Sequence, residues 1–305
     1  METEERKEEE PGIETPEPGI YADVDDKYYR AWRAISITTA FWLTKSPGHY
    51  LHRLRNPPPA TDPMQFGTNF HTMLLQPEVW KEKAVVMPDF ATGLCDPKGV
   101  PYKAPKLTNL YKEKVAGFEQ AHRDKTIIDQ DTAERLEAMK AEVMRRDVAA
   151  ALICGEGEAE LSVLARDPAS NLICKGRLDK FDQEEATLID LKTVGKFASP
   201  TDFAKTVAQN GYYIQMAHYV EIAALCGLEI KNVIFIAVES KPPYGVGVYS
   251  LPPEGLEAGR RHRRMLLDIL DRCHRLNDWP LYEDEIRPLV FDRWSFSSVE
   301  DALED

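Results

Sequence analysis

Several absences narrow what this sequence can be. No apolar run approaches the roughly 20 residues that cross a bilayer, so no membrane anchor is expected. No two of the five cysteines (Cys95, Cys154, Cys174, Cys226 and Cys273) form a Cys-x-x-Cys pair. That argues against a zinc site or an iron–sulfur cluster, and an odd number of scattered cysteines most simply means reduced, mostly buried thiols. The first ten residues are acidic, not basic followed by apolar, so a secretory signal is not expected and a cytoplasmic protein is. There is no internal repeat and no convincing linker between residues 27 and 290. With 305 residues, 43% of them hydrophobic, the chain can bury a full core.

Positive charge is also scarce, with a formal net charge of −13. The deficit is localised. Residues 1–26 contribute −9 and the last six residues −4, which leaves the body, 27–299, neutral. Residues 1–26, rich in Glu and Pro, cannot bury enough apolar surface to fold and are expected to be a disordered acidic tail; residues 298–305 are expected to be a second acidic tail. Within the body, basic residues gather at Lys45, Arg53 and Arg55 and again along Arg260-Arg261-His262-Arg263-Arg264. Either group can meet phosphates, and either fits a solvated helix face equally well.

What is present begins with helical signals: 36–55, entered at Ser36 or Thr38 and interrupted near Ser46-Pro47-Gly48, then 67–83, 108–122 and 131–153. Asn56-Pro57-Pro58-Pro59 forces an extended connection. Three runs, 159–165, 172–181 and 186–193, read as strands joined too closely for parallel crossovers, hence as an antiparallel meander. A helical stretch over 201–226 follows, then a buried strand at 233–238, a more exposed one at 246–250, and a long helix at 254–276. This is one α/β domain, 27–297, with a helical N-terminal part packed on it.

The most informative residues lie in that meander. Asp190 and Lys192 share one face of their strand, while Ile189, Leu191 and Thr193 share the other. Asp179, eleven residues upstream, comes close to Asp190 if the two strands pair. Two carboxylates and an ammonium at a sheet edge are what a hydrolase needs to hold Mg²⁺ on a phosphodiester and orient a water. An exposed salt-bridged pair gives the same local pattern, so the neighbours matter. His71 starts a helix in Gly67-Thr68-Asn69-Phe70-His71, Glu160 lies in the first strand of the meander, and Gln215 and Tyr219 share a helix face.

In these elements the sequence resembles the RecE, or exonuclease VIII, family of phage-type nucleases within the PD-(D/E)xK superfamily. The resemblance runs from about Ile35 to Trp294. It rests on Lys45-Ser46-Pro47, Gly67-Thr68-x-Phe70-His71 with Leu74, Pro77 and Glu78, Glu160, Arg177-x-Asp179-Lys180, Asp190-x-Lys192-Thr193, Gln215-x-x-x-Tyr219 and Trp279-Pro280. Leu178 stands where the superfamily name has proline, which is not a ligand, and 91–106 has no clear counterpart.

The resemblance implies a restriction-endonuclease-like core: a central mixed sheet flanked by helices. It implies Asp179 and Asp190 as acidic metal ligands, with Asp190 bridging two ions, joined by Glu160 and the Leu191 carbonyl. The ions would be Mg²⁺ or Mn²⁺, two per site. Lys192 would orient the attacking water, and His71 would be a ligand or an outer contact, although a core histidine is its competitor. Gln215 and Tyr219 would fix the Lys192 strand or touch DNA; Tyr219 fits core packing equally well. Lys45, Arg53 and Arg55 are candidates for the 5′-phosphate.

The implied activity is 5′→3′ digestion of double-stranded DNA ends, leaving 3′ tails for a single-strand annealing protein of the RecT kind. A homo-oligomeric ring, trimer or tetramer, is implied too, and encirclement suits a neutral body. Two alternatives remain open at this stage: a Cas4- or AddB-like nuclease, which generally carries four cysteines for an iron–sulfur cluster, and a catalytically silent DNA-binding module on the same fold.

Overall fold

A computed structural model describes residues 14–282 and 284–289. The chain opens with strand β1 (Gly19–Tyr21), helix α1 (Asp26–Ala31), the two-residue β2 (Ile35–Ser36) and the short α2 (Ile37–Ala40). A 3₁₀ turn, Phe41–Thr44, separates α2 from α3 (Pro47–Arg55). Ser46 caps α3 by accepting from the His49 N–H, with Pro47 in the first turn, where no N–H is needed. The helical signal over 36–55 is therefore three pieces.

Next come α4 (Asp62–Leu75) and α5 (Pro77–Lys83). The first starts five residues before Gly67 because Thr61 caps it ahead of Asp62-Pro63. Strands β3 (Ala84–Val86) and β4 (Thr126–Ile128) pair in parallel as a separate two-stranded sheet, with α6 (Asn109–Ala121) between them. These strands are too short to announce themselves by alternation. Helices α7 (Gln130–Arg145) and α8 (Asp147–Cys154) break at Arg146, which has an extended backbone.

The meander consists of β5 (Glu158–Arg166), β6 (Ile173–Asp182) and β7 (Thr187–Val194), antiparallel as expected. A crossover through α9 (Pro200–Asn210) and α10 (Tyr212–Leu225) returns the chain to β8 (Asn232–Glu239), parallel to β7; β9 (Val246–Ser250) and α11 (Pro253–Leu276) complete the fold. Gly211, at φ 67, is the left-handed residue that divides the crossover into two helices.

The main sheet runs β1-β5-β6-β7-β8-β9, with β2 beside β6. Alternation along β7 and β8 sorts their side chains into two cores. Ile189, Leu191, Ile236 and Val238 pack on Phe70, Met73, Leu136, Met139 and Val143 of α4 and α7. Leu188, Val194, Phe235 and Ala237 pack on Phe203, Ile214, Val220, Leu266 and Leu270 of α9, α10 and α11. This is the mixed sheet between helical layers that the sequence led us to expect.

Two expectations need correction. The acidic tail of 1–26 is too long by at least eight residues: β1 pairs with β5, and the Arg177 guanidinium holds the next stretch by donating to the Val24 carbonyl and facing Asp26. The basic run at 260–264 is not an open phosphate-binding face. Helical periodicity sends Arg263 into the core, while Arg264 pairs with Asp167 and Arg260 with Glu221. Residues 1–13 and the C-terminal acidic tail, 298–305, lie outside the described residues, as does Trp294. No helix among the described residues is long and apolar enough to cross a membrane.

Candidate active site

The site forms where β6 and β7 part. Their backbone pairing runs only from Asp182↔Thr187 to Lys180↔Ile189. One residue further, the Asp179 carboxylate takes the place of a ladder carbonyl and accepts from the Leu191 N–H at 2.9 Å. On the other flank of β6, Glu160 falls between the pairs Ala159↔Lys180 and Leu161↔Leu178, which sets it opposite Asp179. Its φ of 54 is left-handed, a costly conformation for a residue with a side chain and one that collects at functional sites.

His71 reaches the gap from α4. Gly67, one turn earlier, lets that helix approach β7: a Cβ there would lie 2.9 Å from the Thr193 hydroxyl. The His71 Nδ1 lies 3.5 Å from an Asp179 oxygen. One donor atom each from His71, Glu160 and Asp179 lies within 4.8 Å of the others, and this is the one such ligating group among the described residues. None of the cysteines belongs to it, so they supply no iron–sulfur site there.

From the opposite face come Asp190 and Lys192, as strand alternation requires. The Lys192 Nζ lies 2.6 Å from Asp190 Oδ2 and 4.8 Å from the centre of the Tyr212 ring at the start of α10. Among the described residues, Lys192 is the one group that reaches that buried oxygen. Asp190 is thus turned onto Lys192 and stands outside the three-residue group. The Leu191 side chain is buried away from the gap in the α4 and α7 core, while its carbonyl is close enough to the His71 ring to favour the protonated imidazole.

Burial dominates the electrostatics. It raises Asp179 and lifts Asp190 to about 6, with Lys192 pulling both back. It also lifts Glu160 to about 7, helped by Asp179 and opposed by Arg177, whose Nη1 is 3.8 Å away. His71 is pushed down to about 4 by burial and by the Lys192 charge. At neutral pH the imidazole is therefore neutral and free to ligate. Burial works against the Lys192 charge, but Asp190 and Asp179 outweigh it, so its pKa is raised.

The remaining candidates divide. Gln215 donates to the Tyr219 hydroxyl at 2.8 Å, and the ring of Tyr219 lies on Gly176 of β6, where a Cβ would come within 2.6 Å. The pair braces the strand that carries Asp179. Lys45 and Arg55 are exposed at the two ends of α3, and Arg53 stacks over Trp42 at 5.0 Å; none is in contact with the carboxylates. Ser46 is a helix cap, and Trp279, stacked on Tyr50, closes the C-terminal segment over α3, with Pro280 accepting from the Gly48 N–H. Sequence reasoning missed Tyr212 beside Lys192; its place directly after Gly211, at a helix start facing the Lys192 strand, was the available signal.

Fold and site together define a PDDEXK-like domain; PDDEXK nucleases generally use divalent metals. Residues 36–287 match the family model described as "PDDEXK-like domain of unknown function (DUF3799)", and the chain belongs to that family. No curated relative matches. Among solved structures, a candidate exonuclease from Eubacterium rectale is similar over 87% of this chain and 93% of its own, at 11% identity and a TM-score of 0.54. A phage-related exonuclease from Haemophilus somnus 129PT covers 60% of this chain and 92% of its own, at 11% identity and a TM-score of 0.31. The first likeness is one of fold.

Proposed function

We propose that the protein is a divalent-metal-dependent exodeoxyribonuclease of the RecE kind, degrading the 5′-ended strand of double-stranded DNA and leaving 3′ single-stranded tails. The observation that carries this is the convergence of Glu160, Asp179, Asp190, Lys192 and His71 on one gap between β6 and β7. The residues fit a hard cation: two carboxylates and a neutral imidazole lie within reach of one ion, and Asp190 has acceptor capacity left over. Glu160, Asp179 and His71 would hold one ion, with Asp190 and the Leu191 carbonyl available to a second. The ion supplied would be Mg²⁺ or Mn²⁺, and its contribution when bound is Lewis-acid polarisation of the phosphodiester.

The chain's own groups account for the rest. Lys192 stays protonated, so it acts as a donor that orients the attacking water and stabilises negative charge on it, not as a base. Tyr212 and Asp190 hold the ammonium in place. Tyr219 and Gln215 keep β6 seated, so that Asp179 remains opposite Glu160.

Duplexes labelled at the 5′ or the 3′ end, with and without Mg²⁺, test the reading. We expect Mg²⁺-dependent shortening from 5′-phosphorylated ends, mononucleotide products and long 3′ strands. Internal nicks in closed circles would replace it with an endonuclease. The partners proposed are DNA ends, a single-strand annealing protein of the RecT kind, and copies of this chain in a closed ring of three or four. Light scattering should then give a discrete species several times 34.6 kDa, and digestion should continue past a competitor DNA trap.

A further inference from the structure

The segment joining β3 to β4 has no part in the site, yet residues 87–125 carry seven bases against five acids, and most of those bases lie in one stretch. Residues 97–114 hold five lysines, Lys98, Lys103, Lys106, Lys112 and Lys114, against one acid, Glu113. All five are exposed, and among the described residues none forms an ion pair. Arg260, Arg261, Arg263 and Arg264 of α11 and Arg53 differ in this respect, being occupied by acids or by an aromatic ring.

The segment is folded. Phe90 packs edge-on against Phe118 of α6, Leu94 is buried, and Tyr102 donates its N–H to the Leu94 carbonyl. At its root, Ile128 of β4 lies in the same core cluster as Phe70, the neighbour of His71. Val100, Leu107 and Leu110 stand exposed beside the lysines, at 57%, 75% and 43%.

We infer that residues 87–125 form an arm that grips the phosphate backbone of the duplex flanking the cleaved end. Five exposed ammonium groups on one ordered outgrowth, none held in an ion pair although Lys106 acts on Asp89 and Asp129, are complementary to a polyanion. The inference rests on the proposed function, since the polyanion at hand is the DNA that the site would cleave.

The test is a full-length variant with Lys98, Lys103, Lys106, Lys112 and Lys114 all changed to Gln, beside one with all five changed to Arg. Binding to a long duplex is measured in EDTA between about 50 and 200 mM salt, where each phosphate contact contributes a slope of about −0.9 in log K against log salt. The Gln variant should bind about tenfold or more weakly, with the slope flattened by about 2 or more, while the Arg variant follows the wild type. On saturating DNA both should turn over at the wild-type rate. If the wild type digests duplex ends and the Gln variant binds as tightly and as steeply, the arm is overturned and the function stands. A Gln variant that binds more tightly would mean that an acidic segment occupies the arm, which also overturns it. Equal losses in both variants would replace charge with packing. A wild type that neither binds nor digests duplex removes both readings.

Discussion

Two clusters of buried carboxylates and cations border this sheet, in opposite states. In one, Asp167 is closed by the protein: Oδ1 accepts from Arg263, and Oδ2 accepts from Arg264 and from the N–H and hydroxyl of Ser170. Burial pushes its pKa up, but the bonds from Arg264 and Ser170 and the Arg263 charge overcome that and hold it well below the usual carboxylate range. In the other, Asp179 and Asp190 share the Lys192 ammonium, Glu160 has only Arg177 at 3.8 Å, and all three are held above that range. A buried carboxylate that is fully bonded locks β5 and β6 to α11. A buried set that is not has acceptors to offer a cation.

The largest effect that can break this contrast is catalytic. Asp190→Asn or Lys192→Ala should remove several kcal/mol of transition-state stabilisation, about a thousandfold in rate or more. The melting temperature of Asp190→Asn should stay near that of the wild type, since Asp179 still offsets the Lys192 charge, whereas Lys192→Ala strands the buried Asp190 and Asp179 and should lower it. Digestion at the wild-type rate would dissolve the site. Next in size is Asp167→Ala, which strands buried Arg263 and should cost about 3–5 kcal/mol in denaturant unfolding. A loss under about 1 kcal/mol would mean that the network contributes nothing beyond an exposed pair.

The clusters should also separate by pH in metal-free protein. Glu160, at about 7 in the fold, binds its proton more tightly there than in the unfolded chain, so its contribution is complete below about 4.3 and is lost as pH rises to about 7. His218, held near 3 by burial and by Arg263, behaves oppositely: its contribution is complete above about 6.5 and fades as pH falls toward 3. Glu160→Gln should therefore remove the loss of stability between about pH 4.3 and 7 and leave the profile below about pH 4 unchanged in shape. Added Mg²⁺ should raise the melting temperature more at pH 8 than at pH 5, since carboxylate ligands must be deprotonated; equal shifts would detach these groups from the metal. Smallest is Gly67→Ala, about 1–2 kcal/mol, as α4 is wedged off Thr193. Activity should fall further than stability, because His71 moves with the helix.

The meander, the crossover and the Asp179, Asp190 and Lys192 trio were legible because each is written locally: alternation, apolar runs and a fixed offset of two along a strand. Gly67 and Gly211 were visible as letters, but not as a close approach and a left-handed cap. Arg263 was misread with its neighbours because a run of like charge hides the period of 3.6 that turns one member inward. His71 and Glu160 were reached through resemblance; only tertiary structure brings α4 and β5 to the same gap. The arm's strands, three residues each, were below what a pattern can signal, although its lysines were in plain view.

Residues 19–21 have a role beyond their length. Strand β1 pairs with Leu164, Val163 and Ser162 of β5, so it is the outermost rung of the main sheet on that side. Shortening the chain to residue 27, as its composition invites, would leave a nine-residue, largely apolar strand with open N–H and C=O groups along its outer edge. Such an edge is a template for pairing with another molecule. A trimmed protein would be expected to clump on standing while the full chain stays dispersed, with the association running edge to edge through β5.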